Sequence, residues 1–384
     1  MNRLKKLQEF GQSVYMDEIS RSMLTDGTLK TLIERDGLRG VTSNPAIFQK
    51  AITQSSDYDE TIAQLQREGQ SVEEVYEELV IADIQAAADL LRPVYDESDG
   101  RYGFVSLEVN PHLAFDTEAT ITEARHLWAE LARPNVFIKV PGTEAGLPAI
   151  RQLIAEGINV NVTLLFGIGR YRQVANEYIA GLEERHASGQ SVERVASVAS
   201  FFLSRIDVMV DPLLEAVERE GGARGGRAAD LKGKIAVANA KLAYRAYQEI
   251  FGSERFAKLA AKGARTQRVL WASTSAKNPA YSDTMYVEPL IGPDTVNTMP
   301  VDTLDAYRDH GEPASRVEEG VEEAAEQLRL LGELGIDIDE VTAKLEQEGV
   351  DKFVKPFDSL VQALTEAAKT SAQSELLGGA SHTR

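Results

Sequence analysis

A lysine in the middle of an apolar run is the first residue of this chain that could do chemistry. Residues 135–142 read NVFIKVPG, with Lys139 among aliphatic and aromatic neighbours and Pro141-Gly142 closing the run. Such a run bounded by turn formers predicts a short buried strand of the parallel type. An ammonium there is costly unless it is paired or used, and burial favours the neutral amine, a nucleophile near neutral pH. The ordinary alternative is a lysine whose stem packs while its head reaches water. Other polar residues stand in comparable places. Asp17 ends SVYMD, Asn44 ends GVTSN before Pro45, and Glu108 lies in GFVSLEVN. Asn161 and Thr163 share one face of NVNVTLLF, Ser200 lies near the end of residues 195–202, and Ser273 near the end of RVLWAST. A buried amine attacks a ketone, and the protonated imine then acts as an electron sink. Two carboxylates supply acid and base for loss of water and for proton transfer from a hydroxyl. Asparagine amides fix sugar hydroxyls. This is the equipment of a Schiff-base enzyme that needs neither metal nor cofactor. The five histidines, at 112, 126, 186, 310 and 382, are scattered without ligand spacing, so a zinc site is not expected.

Each residue also has an ordinary reading. Asp17 could cap the following helix, and Asn44 could be a turn residue before proline. Glu108 could form a buried structural ion pair with Lys139, and Thr163 is a normal strand residue. Their joint placement carries the argument.

The elements that must position these groups alternate along the chain. Extended segments are expected at 13–17, 40–45, 103–110, 135–142, 159–166, 195–202 and 268–274, with a weaker eighth at 285–290, where Pro289 interrupts. Helical patterns separate them, the strongest being residues 71–91, followed by a polar loop at 92–102. Asp116 is a plausible N-cap with an incomplete capping box. The glycine-rich stretch 221–230 is expected to be a flexible loop, and the chain from Asp302 onward to be helical. Alternating strands and helices predict a parallel sheet. Eight of them predict an α/β fold of the (β/α)8 TIM-barrel type with additional C-terminal helices. A doubly wound open sheet competes, but it gathers its site behind a glycine-rich phosphate loop, and none follows a strand here. The polar residues fall at the C-terminal ends of the strands, where barrel sites are built. Residues 1–370 are expected to form one catalytic domain and 371–384 a flexible tail.

With 384 residues, 43% hydrophobic and 26% charged, the chain has ample material for a large core. A formal net charge of −19 disfavours nucleic acid and anionic membranes as partners. Bound phosphate therefore needs a local cluster of donors. There are no cysteines, which excludes disulfides and thiolate metal sites. No apolar run approaches membrane-spanning length, and a cytoplasmic location is expected by default. Oligomeric state is not readable from the sequence.

The blocks GVTSNPAIF, SLEVNPHLAFDTEAT, FIKVPGTEAG, GINVNVTLLF and LWASTSAKNPAY resemble those of transaldolases, class I aldolases with a (β/α)8 barrel, over nearly the whole chain. The length is similar to that of the long bacterial form. The resemblance implies transfer of a dihydroxyacetone unit between sugar phosphates, from sedoheptulose 7-phosphate to glyceraldehyde 3-phosphate, in the non-oxidative pentose phosphate pathway. By motif position Lys139 would form the Schiff base and Asp17 would take the hydroxyl proton during carbon–carbon cleavage. Glu108 and Thr163 would position a catalytic water. Asn44 and Asn161 would bind the dihydroxyacetone hydroxyls, Ser200 would line the site, and Arg205 with Ser273 would bind phosphate. Compact members carry a second phosphate arginine two residues after the serine matching Ser273. Here that position is Ser275, and Lys277, the nearest cation on the loop, is expected to stand in, as a point charge rather than a fork. Related sugar-phosphate aldolases that release free dihydroxyacetone carry Gln and Tyr where this chain has Glu108 and Phe202, which favours the transferase. A regulatory sugar-phosphate binder and a fragment of a transaldolase–isomerase fusion are the other readings.

Overall fold

The computed structural model describes residues 2–379, with side chains as far as Lys369. Eight parallel strands close into a barrel in chain order: β1 (Gln12–Met16), β2 (Gly40–Thr42), β3 (Phe104–Glu108), β4 (Val136–Pro141), β5 (Val160–Leu165), β6 (Ser197–Phe202), β7 (Arg268–Ala272) and β8 (Thr295–Met299). The β1–β8 pairing, from Gln12↔Thr295 to Met16↔Met299, closes the ring. Every strand residue is buried except Arg268, which is half-buried at the start of β7. That is why the strands read as continuous apolar runs and not as alternating ones. Helices connect successive strands, except β7 and β8, which a loop with one short 3-10 helix joins, and they cover the barrel's outer face.

Seven strands lie where the sequence places them, and the eighth does not. Residues 285–290 form turns and a short 3-10 helix, Glu288–Leu290, with Pro289 at its start. The Leu290 carbonyl accepts the Trp271 indole N–H at 3.0 Å and the Gln12 amide at 2.9 Å, so the segment plugs the barrel flank instead of joining the ladder. β8 is TVNTM, which follows the Gly292-Pro293 turn and is closed by Pro300. Helix Val72–Glu97 runs through Pro93 into the expected polar loop, burying Leu91 and Tyr95. The stretch 221–230 is not a flexible loop but the helix Gly222–Leu231, which buries Gly225, Ala228 and Leu231 on one side. A Cβ on Gly225 would lie 2.7 Å from the Glu218 carbonyl, so the glycine permits the packing that overrides its poor helix propensity. The Asp116 cap is present, its carboxylate accepting the Ala119 N–H at 3.0 Å.

The last helix, Ile338–Gly379, reaches the barrel mouth. Gly349 brings its backbone close to β5, since a Cβ there would stand 3.0 Å from Leu164 Cδ2. The ion pair Arg170–Glu346 (3.2 Å) and the hydrogen bond between His112 and Asp358 (2.6 Å) tie it to the barrel's flanking elements. The expected tail at 371–384 falls where side chains are not described, and 380–384 lie outside the described residues.

Candidate active site

Strand register explains how distant residues converge. Residues directly opposite one another on neighbouring parallel strands point to the same face. Glu108 pairs with Lys139, and Lys139 with Asn161, so the three stand in one layer of β3, β4 and β5. Lys139 is 4% and Glu108 7% exposed. The Lys139 ammonium donates to the Ser43 carbonyl at 2.9 Å and to Glu108 Oε2 at 3.3 Å. Glu108 Oε1 is buried and has no hydrogen-bond partner in the protein. Burial pushes the Glu108 carboxyl up to about 7 although the Lys139 charge pulls the other way. A carboxyl held there can both give and take a proton near neutral pH.

Asp17 follows β1 at the mouth, its backbone N–H bonded to Met299 O at 2.9 Å. It does not cap the next helix, whose N-cap is Ser20. Its carboxylate accepts the Thr42 hydroxyl at 2.6 Å, and burial raises its pKa against that bond and the Lys139 charge. Thr42 also meets Thr298 of β8 at 2.6 Å.

Thr163 owes its place to a bulge. Val162 pairs with Ala199 and Leu165 with Phe201, so β5 carries one extra residue between the pairs. Leu164 takes it up with φ +61°, a costly conformation for a bulky side chain. Thr163 then lines the cavity, with its hydroxyl buried and unpaired.

The cavity has a volume of about 120 Å3. Asp17, Asn44, Lys139, Thr163, Ser200 and Phe202 line it, together with Arg205, Ser273 and Lys277. Asn44 caps the helix Pro45–Thr53 through its Oδ1, accepting Ile47 N–H at 3.0 Å, and its Nδ2 makes no hydrogen bond in the protein. Lys277 is exposed at the rim, donating to Ser275 at 2.5 Å. Ser273, at φ +56°, meets Ser204 hydroxyl to hydroxyl at 2.8 Å. Two expected residues do not line this cavity. Glu108 lies behind Lys139, facing a separate cavity that it shares with Tyr76 and Glu123. Asn161 donates to Ser106 at 3.1 Å and accepts from Ser200 at 2.7 Å, so both ends of its amide are engaged within the barrel.

Sequence reasoning missed Thr298 and Phe353, both of which line the cavity. Thr298 was legible as a β-branched residue two positions before the closing proline of TVNTMP. Phe353 gives no local signal: it lies on a helix far downstream of the last strand. Its ring centroid is 5.7 Å from the Lys139 ammonium and 5.9 Å from the Arg205 guanidinium, and Phe202 approaches that guanidinium at 5.2 Å. Two aromatic contacts, worth about 0.5–2 kcal/mol each, thus position Arg205. Burial lowers its pKa, and its Nη1 is buried without a partner.

The arrangement sets the buried Lys139 side chain near two carboxyls raised by burial, Glu108 and Asp17, with two cationic side chains, Arg205 and Lys277, lining the same cavity as Lys139. That suits a carbonyl compound carrying a phosphate.

A family model described as "Transaldolase/Fructose-6-phosphate aldolase" matches residues 14–364. The chain is 52% identical over 369 residues to "Transaldolase 2" of Nostoc sp. (strain PCC 7120 / SAG 25.82 / UTEX 2576), covering 95% of this chain and 97% of that one. It is 49% identical over 372 residues to "Transaldolase" of Trichodesmium erythraeum, covering 96% and 98%. To "Transaldolase" of Thiobacillus denitrificans it is 49% identical over 361 residues, covering 94% and 99%.

Proposed function

The chain belongs to the transaldolase/fructose-6-phosphate aldolase family, and from that premise we propose how its site works as a transaldolase in the pentose phosphate pathway. The observation that carries the reading is the buried Lys139 amine, 3.3 Å from Glu108 and in one cavity with Asp17 and Arg205. The Lys139 amine attacks the ketose carbonyl carbon to give a carbinolamine. Proton exchange with Glu108, with Thr163 holding a bridging water, expels hydroxide as water and leaves the iminium. The buried, unpaired Glu108 Oε1 and Thr163 hydroxyl support this role. Asp17 then takes the proton of the hydroxyl beside the bond to be broken. That carbon–carbon bond cleaves, its electron pair enters the iminium to form an enamine, and the aldose leaves. The enamine carbon attacks the acceptor aldehyde, Asp17 returns its proton to the new hydroxyl, and hydrolysis frees Lys139.

Asn44, through its free amide N–H, and Ser200 hold the dihydroxyacetone hydroxyls. Asn161 acts through Ser200 and Ser106 by fixing their hydroxyls. Arg205, Ser273 and Lys277 bind the phosphate. Glu108 and Phe202, in place of Gln and Tyr, favour transfer over release of free dihydroxyacetone. Sugar phosphates are the partners, and a cytoplasmic location belongs to the same proposal. Among the described residues no helix is long and apolar enough to cross a membrane.

The test is borohydride trapping with fructose 6-phosphate, followed by digestion and mass spectrometry. A dihydroxyacetone-sized adduct on Lys139, discharged when erythrose 4-phosphate is added before reduction, is the expected result. An adduct on another lysine, or none, rejects the mechanism. An adduct that the acceptor does not discharge rejects transfer.

Lys277 carries a separate expectation. Lys277→Ala is expected to raise the sugar-phosphate KM about tenfold with kcat little changed, roughly the 1.4 kcal/mol of a rim charge on phosphate. Lys277→Arg should restore it. An unchanged KM in steady-state assays assigns the phosphate to Arg205 and Ser273 alone.

A further inference from the structure

A second cavity lies away from the mouth. A space of about 230 Å3 opens at the opposite end of the barrel. The strand order fixes its place. It is lined by Phe104 at the start of β3, Ser197 at the start of β6, Arg268 at the start of β7, and Asp294 just before β8. This is the N-terminal face, where strand-end residues ordinarily serve stability.

Its walls are unusual for a chain of charge −19. Arg101, Arg265 and Arg268 line it, around an apolar floor that includes Phe104 and Phe137. Arg39 lies over the ring of Tyr102, another lining residue, at 3.7 Å, and Arg268 approaches the same ring at 5.4 Å. Arg194 stands on Asp99 at 2.7 Å, beside Gly100 of the lining. Five arginines therefore meet two aspartates, Asp99 and Asp294, a local excess of three positive charges.

Part of this set is structural. Arg265 donates to the carbonyls of Gly100 and Asp99, and Arg268 to the Ser13 hydroxyl at 3.0 Å and to the Arg101 carbonyl at 3.2 Å. These bonds hold the 99–102 loop against the barrel. They do not account for Arg101, whose exposed side chain has no hydrogen-bond or ion-pair partner among the described residues, nor for Arg39, which is half-buried against Tyr102 and has no carboxylate partner among the described residues. Burial, with the neighbouring arginines adding to it, lowers the pKa of both Arg39 and Arg265. Like charges held this close cost free energy unless an anion lies among them.

We propose that this cavity is a second ligand site, distinct from the Schiff-base site, that takes a small phosphorylated metabolite. The phosphate would bind between Arg101 and the Arg265–Arg268 pair, and the remainder of the molecule would lie on the Phe104–Phe137 floor. Phosphate suits the set because guanidinium forks match its oxygens and because one phosphate carries close to two charges. A cavity of this size, below that of drug-sized ligands, suits a small metabolite.

The probe is inorganic pyrophosphate, titrated calorimetrically into the full-length protein. Because Arg205 offers phosphate a place at the other end, the titration is run on wild type, Arg205→Ala and Arg101→Glu. The expected result is that binding persists in Arg205→Ala and weakens at least tenfold in Arg101→Glu, with the kcat and KM of Arg101→Glu unchanged. The Arg101 side chain makes no hydrogen bond or ion pair among the described residues, its carbonyl contact to Arg268 survives any substitution, and Arg101→Ala serves as the milder variant, with a smaller loss in the same direction. Binding that disappears in Arg205→Ala, binding untouched by Arg101→Glu, or no binding to wild type at millimolar pyrophosphate would each overturn the proposal.

Discussion

Lys139→Met is expected to fold, to give no borohydride-trapped adduct, and to lose turnover by roughly four orders of magnitude or more, the scale on which removal of a covalent nucleophile acts. Methionine fills a similar volume, so packing around β4 changes little. The polar cost falls on two atoms, the Ser43 carbonyl and Glu108 Oε2, which lose the donor they share. Glu108 meets that cost by holding its proton more tightly, because its carboxyl already stands near 7 with the ammonium beside it. Lys139→Arg is the necessary control. It keeps a cation against Glu108 but offers no amine that can form an imine. If the arginine variant turned over at a rate near wild type, Lys139 would be an electrostatic group and the Schiff base would have to form elsewhere. Circular dichroism and melting curves on both variants separate chemistry from folding.

Glu108→Gln carries the second large effect. Removal of a positioned acid–base group costs about 10²–10⁴ in rate. The sign with pH follows from the raised carboxyl. Below about 7 Glu108 holds its proton and above it is ionised, so wild-type imine formation changes through that region. A glutamine has no proton to exchange, so the variant's pH profile loses this limb while its residual rate stays low throughout. Rapid-quench measurement of adduct formation between pH 5 and 9 reads both effects. A variant that keeps the same limb assigns the titration to Asp17, the other raised carboxyl at the mouth.

Much of this was legible because burial on both faces writes parallel strands as apolar runs, and any polar residue within them then needs a reason. Lys139 stood out on that ground, whereas Glu108, Asp17 and Thr163 counted only through their joint placement with it. β8 was misplaced because MYVEPL is more apolar than TVNTM, whose two threonines and asparagine face a polar cavity or bond to neighbouring loops; Asn297, for instance, donates to the Tyr286 carbonyl at 3.1 Å. Apolarity was the wrong ruler for a strand whose inward side chains serve the site. The bulge at Leu164 is a backbone event with no residue signature, since leucine is a poor candidate for a left-handed conformation. For Asn161, spacing gives a shared face with Thr163 but does not reveal that its amide is engaged by Ser106 and Ser200. The helix at 222–231 was hidden because glycines argue for a loop, whereas Gly225 is there to let two helices touch.

Phe353 places a requirement on how the protein is made. The barrel's last strand is complete at Met299, but the ring that lies near Lys139 and Arg205 belongs to a helix beginning at Ile338. On the ribosome, the amine-bearing strand and all the other strands emerge before that helix does. During synthesis there is consequently an interval in which Lys139 and all eight strands have emerged while Arg205 has only Phe202 as an aromatic neighbour. A chain ended within that interval would lack the ring that lies 5.7 Å from the Lys139 side-chain nitrogen.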